Sequence, residues 1–212
     1  RAKIVAALAE INADIVGLIE IQNDEDQSVA DLVAGLNDTL GGGTYAFIET
    51  GYIGTDAIKQ ALIYKPDYVT PVGDFEVLAG DGFVDPNNLG DPKNRPALAQ
   101  TFQSNTDGAL FTVVVNHLKS KGSECAGDPD LGDGAGNCNI TRTDAAEVMV
   151  DWLADQMIFL NVDDFLIIGD LNAYDKEDPI DAIKMGSDDT PGTADDYVDM
   201  IYQLEGEDAY GY

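Results

Sequence analysis

Phe-Leu-Ile-Ile-Gly-Asp-Leu-Asn-Ala-Tyr, residues 165–174, joins a short apolar run to two polar side chains that follow it directly. Four consecutive apolar residues before a glycine are typical of a buried β-strand. Asp170 and Asn172 are two residues apart, so in an extended chain their side chains point the same way. A carboxylate can take a proton from water, and a carboxamide can hold the group that the water attacks. The alternative is an Asx-rich turn, because Gly-Asp-x-Asn is also good turn chemistry.

The composition predicts one folded and strongly acidic domain over residues 1–212. The chain has 40 acidic and 11 basic residues, a formal net charge of −29 and 44% hydrophobic residues. The apolar residues fall in patterned runs, which argues against disorder despite the charge. The charge opposes contact with polyanions, so a nucleic acid substrate would require a metal ion and a few placed cations. No apolar run approaches the roughly 20 residues of a membrane span, so we expect no membrane partner; the sequence leaves the oligomeric state open.

The two cysteines, Cys125 and Cys138, lie 13 apart in an acidic, glycine-rich segment. Two cysteines this close in a loop are typical of a local disulfide in a secreted protein. Zinc binding is disfavoured because there is no second Cys/His pair and the sole histidine falls in another predicted element. We therefore expect a disulfide and an extracellular location.

Predicted helices and strands alternate along the chain, with a hairpin between them. Amphipathic patterns predict helices at 1–12, 28–40 (capped by Ser28), 143–160 and 177–185. Apolar or alternating runs predict strands at 14–21, 45–50, 57–64, 69–78, 97–103, 110–118 and from 165, with long acidic loops at 81–93 and 187–196. A chain that contains both a hairpin and helical crossovers is expected to form mixed sheets.

Polar side chains recur at or just beyond the ends of the apolar strands. They are Glu20, Asp56, His117 and the pair Asp170 and Asn172. Taken singly, each has a structural alternative: Glu20 as a salt-bridged edge residue, Asp56 as a turn residue and His117 as a structural histidine. Strand ends are where sheets of this class build their sites, so together these residues predict a functional site.

Three motifs resemble the endonuclease/exonuclease/phosphatase superfamily, which has the deoxyribonuclease I-like fold. They are Gly-Leu-Ile-Glu-Ile (17–21), Asn-His-Leu-Lys-Ser (116–120) and Gly-Asp-Leu-Asn-Ala-Tyr (169–174). The segments 56–66 and 94–102, with the two-cysteine loop, are most similar to the large extracellular bacterial nucleases of that superfamily. The resemblance implies an α/β fold, an α+β sandwich of two packed mixed β-sheets flanked by helices. It also implies that the protein hydrolyses phosphodiesters with a divalent cation.

The resemblance also implies which residues bind the metal ion and the substrate. Glu20 would be the metal ligand, for Mg²⁺ or Mn²⁺, and would be linked through the ion to a phosphate oxygen. Arg95 would contact a backbone phosphate, which suits its forked donors. Asn116 is a further candidate for substrate binding, with a hydrogen bond inside the strand end as its structural alternative.

The catalytic roles follow from the same resemblance. His117 would act at the scissile phosphate, on the leaving group or on the charged transition state, and Asp56 would orient its imidazole. Asp170 would activate the attacking water, and Asn172 would hold the phosphoryl oxygen.

The chain departs from the family pattern at both ends. The family has an asparagine on a strand before the first helix, and it closes its sheet with later strands that end in an Asp-His pair. Neither is found here, and His117 is the sole histidine. We therefore expect a deoxyribonuclease I-like domain that is incomplete at both ends and catalytically silent on its own.

The predicted function is that of a secreted, metal-dependent nuclease acting on DNA, with RNA as a second candidate substrate. A phosphatase or lipid phosphodiesterase of the same fold is the first alternative. A noncatalytic calcium-binding or adhesion module is the second, with a structural Ca²⁺ held by Asp128, Asp130, Asp133 or the loop 187–196. A phosphoacceptor Asp170, as in doubly wound signalling domains, is disfavoured by the hairpin and the cysteines.

Overall fold

The computed structural model describes residues 1–85, 87–160 and 162–209, without the side chains of residues 81, 85, 88–90, 157–160 and 207. The chain divides into two compact units. The first comprises Arg1–Val77, Pro96–Asn116 and Val162–Gly169, and the second comprises Leu78–Arg95, His117–Asn161 and Asp170–Tyr212.

The first sheet of the first unit contains the strands β1 (Ile15–Gln22), β2 (Ala46–Phe47) and β3 (Ile58–Tyr64). Their order is β1-β3-β2, and both pairings are antiparallel. β3 is the central strand and is buried along most of its length, including the side chains of Lys59 and Gln60. The predicted strand 45–50 is much shorter than expected, because the backbone of Gly51 and the side chain of Thr50 bond instead to Asp26.

Two amphipathic helices, α1 (Ala2–Ile11) and α2 (Gln27–Leu40), pack against the first sheet. Their apolar stripes join β2 and β3 in one core, with Val5, Leu8, Val29, Leu36 and Ile63 among its members. The predicted cap at Ser28 is wrong. α2 begins one residue earlier, and Ser28 donates from its backbone N and its Oγ to the carboxylate of Asp24.

The second sheet has the order β4-β7-β8-β9, with β4 (Val69–Leu78), β7 (Ala97–Ser104), β8 (Leu110–His117) and β9 (Asp164–Asp170). β7 and β8 form the predicted antiparallel hairpin, with Thr101 opposite Thr112. β8 and β9 are neighbours although a long helix lies between them in sequence, the type of connection that parallel strands require.

The two sheets pack face to face inside the first unit. One apolar core combines Leu62 of β3 with Leu98, Phe102, Val113 and other residues of the second sheet. The sheets approach so closely at Gly17 that a Cβ there would lie 2.6 Å from Cδ1 of Ile168 in β9. The predicted fold class, a sandwich of two packed sheets flanked by helices, is confirmed.

The second unit contains the helices α3 (Asn139–Leu160), α4 (Asp178–Met185) and α5 (Met200–Glu205). The expected loop 81–93 is not wholly irregular, since it forms a short antiparallel pair, β5 (Val84–Asp85) and β6 (Asn88–Pro92). No helix in the described part of the chain is long and apolar enough to cross a membrane.

The loop before α3 is closed by the predicted disulfide between Cys125 and Cys138, whose Cα atoms are 5.4 Å apart. The same loop explains why α3 begins four residues earlier than predicted. Buried Asp128 accepts hydrogen bonds from the backbone N of Ile140 (3.2 Å) and of Thr141 (2.9 Å). A carboxylate at this position satisfies first-turn N–H groups and favours the positive end of the helix dipole.

The buried face of α3 also differs from the prediction. Val148 and Trp152 are only half-buried, and the side chain of Met157 lies outside the described residues. The buried residues of the helix follow a stripe that includes Thr141, Arg142, Ala145, Ala146, Met149, Val150 and Leu153.

Candidate active site

His117 and Asp170 stand side by side at the ends of neighbouring strands. The backbone N of Leu118 donates to the carbonyl of Asp170 at 2.9 Å, which aligns the end of β8 with the end of β9. His117 Nε2 lies 3.9 Å from Asp170 Oδ2, and the imidazole is buried whereas the carboxylate is partly exposed. This separation is too long for a direct hydrogen bond.

Gly169 allows this close approach of the two strand ends. Its φ is +120°, and a Cβ at this position would lie 2.0 Å from the carbonyl oxygen of Asn116. No other residue fits this position without displacing the backbone that precedes His117.

Asn172 is fixed by an Asx turn that also orients Asp170. Its backbone N donates to Asp170 Oδ1 at 2.9 Å, and its Nδ2 donates to the carbonyl of Leu118 at 3.0 Å. Its φ of +48° is a left-handed conformation that asparagine tolerates better than most residues. The turn interpretation of Gly-Asp-x-Asn is therefore confirmed, and the chain is not extended at Asn172 as expected. Asp170 Oδ2 stays on the side of His117, and the catalytic roles of Asp170 and Asn172 stay predictions.

Lys119 is a third element of this region that the sequence analysis did not single out. Its backbone is held on both sides by buried polar groups: Asn94 Oδ1 accepts from its N at 2.8 Å, and Arg142 Nη1 donates to its carbonyl at 3.1 Å. Its Nζ donates to Ser123 Oγ, and the described residues include no carboxylate paired with it.

The surroundings of Lys119 are cationic in an otherwise acidic chain. Lys93 and Arg95 flank Asn94, the residue that bonds to the Lys119 backbone. Burial lowers the pKa of Lys119 below its ordinary value, and the charges of Lys93, Arg95 and Arg142 lower it further. The sequence signal was its place in Asn-His-Leu-Lys, but the convergence with residues 93–95 is tertiary.

In the first unit, Glu20 lies at an irregularity in β1. The register with β3 shifts between Leu18 and Ile21, and Glu20 is exposed with a φ of +57°. Positive φ is uncommon for glutamate, and bulges re-aim side chains and are frequent near active sites. The sequence located this carboxylate, and the irregularity supplies an independent reason to regard it as functional.

Asp56 lies at the same edge of the first sheet as the end of β1. Gln22 of β1 pairs with Ile58 of β3, and Asn23 Nδ2 donates to the carbonyls of Ile53 and Asp56, both at 2.9 Å. The Asp56 side chain is exposed, and its Oδ1 accepts from the backbone N of Ala57 at 2.6 Å. This contact agrees with the turn interpretation, and the proposed contact with an imidazole stays a prediction.

A buried ion pair supports the loop that leads to Asp56. Lys59 in β3 donates to Asp26, to Thr50 Oγ1 at 2.9 Å and to the carbonyl of Gly51. Asp26 Oδ2 in turn accepts from the backbone N of Gly51 at 2.7 Å. The pair therefore fixes residues 50–51 to the start of α2, a link that the sequence analysis missed.

Asn116 differs from the other candidates because its side chain is fully buried. Neither its Oδ1 nor its Nδ2 has a hydrogen-bond partner within the described part of the chain. The alternative role, a hydrogen bond within the strand end, is therefore not seen among these residues. Its role in substrate binding stays a prediction.

Binding of Mg²⁺ or Mn²⁺ by Glu20 stays a prediction. Among the residues described, no three His, Cys, Asp or Glu side chains are grouped so that they could hold a metal ion. Mg²⁺ is usually bound through one or two carboxylates and keeps several waters, so an exposed Glu20 fits the implied ion.

The aspartates that are candidate calcium ligands in the disulfide loop make turn and cap contacts. Asp128 caps α3, Asp130 Oδ1 accepts from the N of Gly132 at 2.7 Å, and Asp133 Oδ1 accepts from the N of Ala135 at 3.0 Å. These are the local contacts that aspartate makes in turns.

Comparison with known proteins identifies the fold. No protein-family model and no curated protein sequence matches the chain. The catalytic domain of human Nocturnin superposes with a TM-score of 0.67 at 15% identity, over 99% of this chain and 67% of that one. ANGEL2, a 2′,3′-cyclic phosphatase, superposes with a TM-score of 0.62 at 15% identity, over 86% of this chain and 46% of that one.

An endonuclease/exonuclease/phosphatase from Bacteroides vulgatus gives a TM-score of 0.54 at 16% identity, over 87% of this chain and 61% of that one. The chain thus spans between 46% and 67% of the lengths of these three proteins. At such identities the likeness concerns the fold, and it agrees with the sandwich of sheets described above. The chain therefore has the fold of these proteins, the deoxyribonuclease I-like sandwich that the sequence motifs predict.

Proposed function

We propose that this chain carries the reaction centre of a divalent-metal-dependent phosphodiesterase, a secreted nuclease acting on DNA, with RNA as a second candidate substrate. The observation that carries the proposal is the joint placement of His117, Asp170 and Asn172 by one backbone hydrogen bond and one Asx turn. An imidazole, a carboxylate and a carboxamide held together provide acid-base and oxyanion-binding groups for attack on phosphorus.

The geometry suggests how the three side chains divide the work. Asp170 Oδ1 is occupied by the Asn172 N–H, and Oδ2 faces His117 Nε2 at 3.9 Å. An oxygen atom at about 2.8 Å from both fits beside such a pair. Asp170 takes a proton from the attacking water, His117 stabilises charge at the phosphoryl group or its leaving oxygen, and Asn172 holds a phosphoryl oxygen.

The cations around Lys119 support an anionic substrate. In a chain with net charge −29 and 11 basic residues, the charges of three of those residues, Lys93, Arg95 and Arg142, act on a fourth, Lys119. Three of them are at least partly accessible, and Arg142 is buried as a support. Arg95 and Lys119 offset the repulsion between the acidic surface and a phosphate backbone.

The metal ion belongs to the proposal through Glu20. Mg²⁺ or Mn²⁺ bound there would act as a Lewis acid that neutralises charge on the phosphate. Glu20 presents an exposed carboxylate at the irregularity of β1, where it could bind the ion, and Asp56 lies at the same edge of the first sheet. The disulfide supports an extracellular location, since such bonds persist in oxidising compartments.

A phosphatase of the same fold is the second candidate. ANGEL2 is a 2′,3′-cyclic phosphatase, so proteins of this fold include phosphatases. The two candidates differ in substrate and share the reacting groups.

The test compares plasmid DNA, single-stranded RNA and small phosphomonoesters as substrates of the full-length protein with Mg²⁺ or Mn²⁺. For a nuclease, His117→Ala and Asp170→Ala each reduce cleavage of nucleic acid by on the order of 10²–10⁴-fold, and Asp31→Ala, at an exposed pair, does not. Near-normal cleavage by either folded variant would refute the assignment. Phosphate release from monoesters without cleavage of nucleic acid would favour the phosphatase.

A further inference from the structure

A cleft of about 400 Å³ lies in the second unit, directly after the Asp170–Asn172 turn. Its walls are residues 133–135 of the disulfide loop, Asn139 at the start of α3, Tyr174, and residues 176–178. The volume is sufficient for a small ligand, and the lining combines one aromatic ring with polar groups.

Tyr174 is held in this cleft by a lysine on one ring face. Lys121 Nζ lies 4.2 Å from the ring centroid, and Glu177, with only 11% of its side chain exposed, bonds to the same ammonium. A cation over the ring orients it. Tyr174 is nevertheless 49% exposed and lines the cleft, so the ring has a surface available for stacking.

The polar groups of the cleft are mainly hydrogen-bond acceptors. Asn139 Nδ2 donates to Asp178 Oδ2 at 2.6 Å, and Asn139 Oδ1 has no partner among the described residues. Asp133, Glu177 and Asp178 line the cleft with carboxylates, opposed by Lys176. Such walls repel a phosphate and accept hydrogen bonds from neutral donors, such as the exocyclic amino groups of nucleobases.

We propose that this cleft binds a nucleobase, which stacks on Tyr174 while the adjoining phosphate lies at His117 and Asp170. The proposal rests on the proposed phosphodiesterase function and narrows its substrate to nucleic acid. Tyr174 is two residues from Asn172, so their Cα atoms are within about 7 Å of each other. A base on a nucleotide next to the scissile phosphate reaches the ring.

The experiment measures binding of a fluorescein-labelled octadeoxyadenylate in Mg²⁺ to the full-length His117→Ala protein, in which turnover is suppressed. A matched oligomer with abasic tetrahydrofuran residues has the same phosphates and no bases. Adding Tyr174→Ala is expected to weaken binding of the octadeoxyadenylate by about 5- to 100-fold and to leave binding of the abasic oligomer unchanged.

Two control variants separate stacking from general damage. Tyr174→Phe keeps the ring and retains binding. Tyr68 is a matched control, because it is 52% exposed and Lys65 Nζ lies 5.3 Å from its ring centroid. Tyr68→Ala is expected to leave binding of both oligomers unchanged. Melting temperatures confirm that each variant is folded.

The outcomes distinguish the base site from the reaction. The base site would be overturned if Tyr174→Ala weakened binding of both oligomers equally or of neither. It would also be overturned if the octadeoxyadenylate did not bind measurably. Base-dependent binding through Tyr174 by a protein whose wild type cleaves no nucleic acid would uphold the base site and overturn the proposed hydrolysis.

Discussion

Asp26→Asn is expected to destabilise the protein by about 3 kcal/mol. The Lys59 side chain is 0% exposed and that of its partner Asp26 is 13% exposed, so the variant leaves a buried ammonium without a counter-charge. Removing one member of a buried pair costs about 3–5 kcal/mol. The expected cost lies at the lower end of this range because asparagine can still accept a hydrogen bond from the backbone N of Gly51. Asparagine also tolerates the φ of +70° at this position.

The assay is urea and thermal denaturation beside a matched control. For a chain of this length, about 3 kcal/mol lowers the Tm by roughly 6–12 °C. Asp31→Asn removes the charge of an exposed pair with Arg1, whose side chains are 50% and 60% exposed, and is expected to cost less than about 1 kcal/mol. Asp26→Asn combined with Lys59→Met recovers most of the loss, because no buried charge remains. Equal effects of the two asparagine variants, or a double variant less stable than Asp26→Asn, would refute the reasoning.

Three further predictions concern metal, disulfide and pH. Glu20→Gln raises the Mg²⁺ concentration for half-maximal activity and leaves the metal-free Tm unchanged; a lower metal-free Tm would identify a structural ion pair. Replacing Cys125 and Cys138 by serine removes a cross-link with sequence separation 13 and lowers the free energy of unfolding by about 3 kcal/mol, measured in urea; an unchanged midpoint contradicts this. Burial raises the pKa of Tyr197 from 10.0 to about 12. The contribution of Tyr197 to stability is present below pH 10 and is lost as the pH rises toward about 12, since the unfolded chain releases this proton first. An ultraviolet titration in which Tyr197 ionises at the ordinary pKa of 10.0 would contradict this prediction.

The sequence predicted those features that depend on local periodicity. The bounds of β4 are those expected from the pattern of residues 69–78, and the apolar run before Gly169 forms β9. Asp170 and Asn172 follow that run, and His117 ends β8, so the sequence alone placed these candidate residues at or just beyond strand ends. Strand ends can be located in this way because burial changes abruptly where an apolar run stops.

Features that depend on distant contacts could not be predicted in this way. Lys59 bonds to Asp26 across 33 residues, and Lys121, which orients Tyr174, bonds to Glu177 across 56. The early start of α3 depends on the Asp128 carboxylate of a preceding loop. At Glu20 the sequence identified the residue and missed the irregular backbone that presents it.

The chain passes between the two units at five places, and one crossing falls just before His117 and another just before Asp170. A single protease cut therefore cannot release either unit, because each is assembled from three separate segments. The same holds at the level of the gene: no uninterrupted stretch of codons specifies one unit alone. Recombination within this region cannot exchange one unit for another as a single DNA segment. The two units are therefore inherited together, along with the residues at the crossings between them.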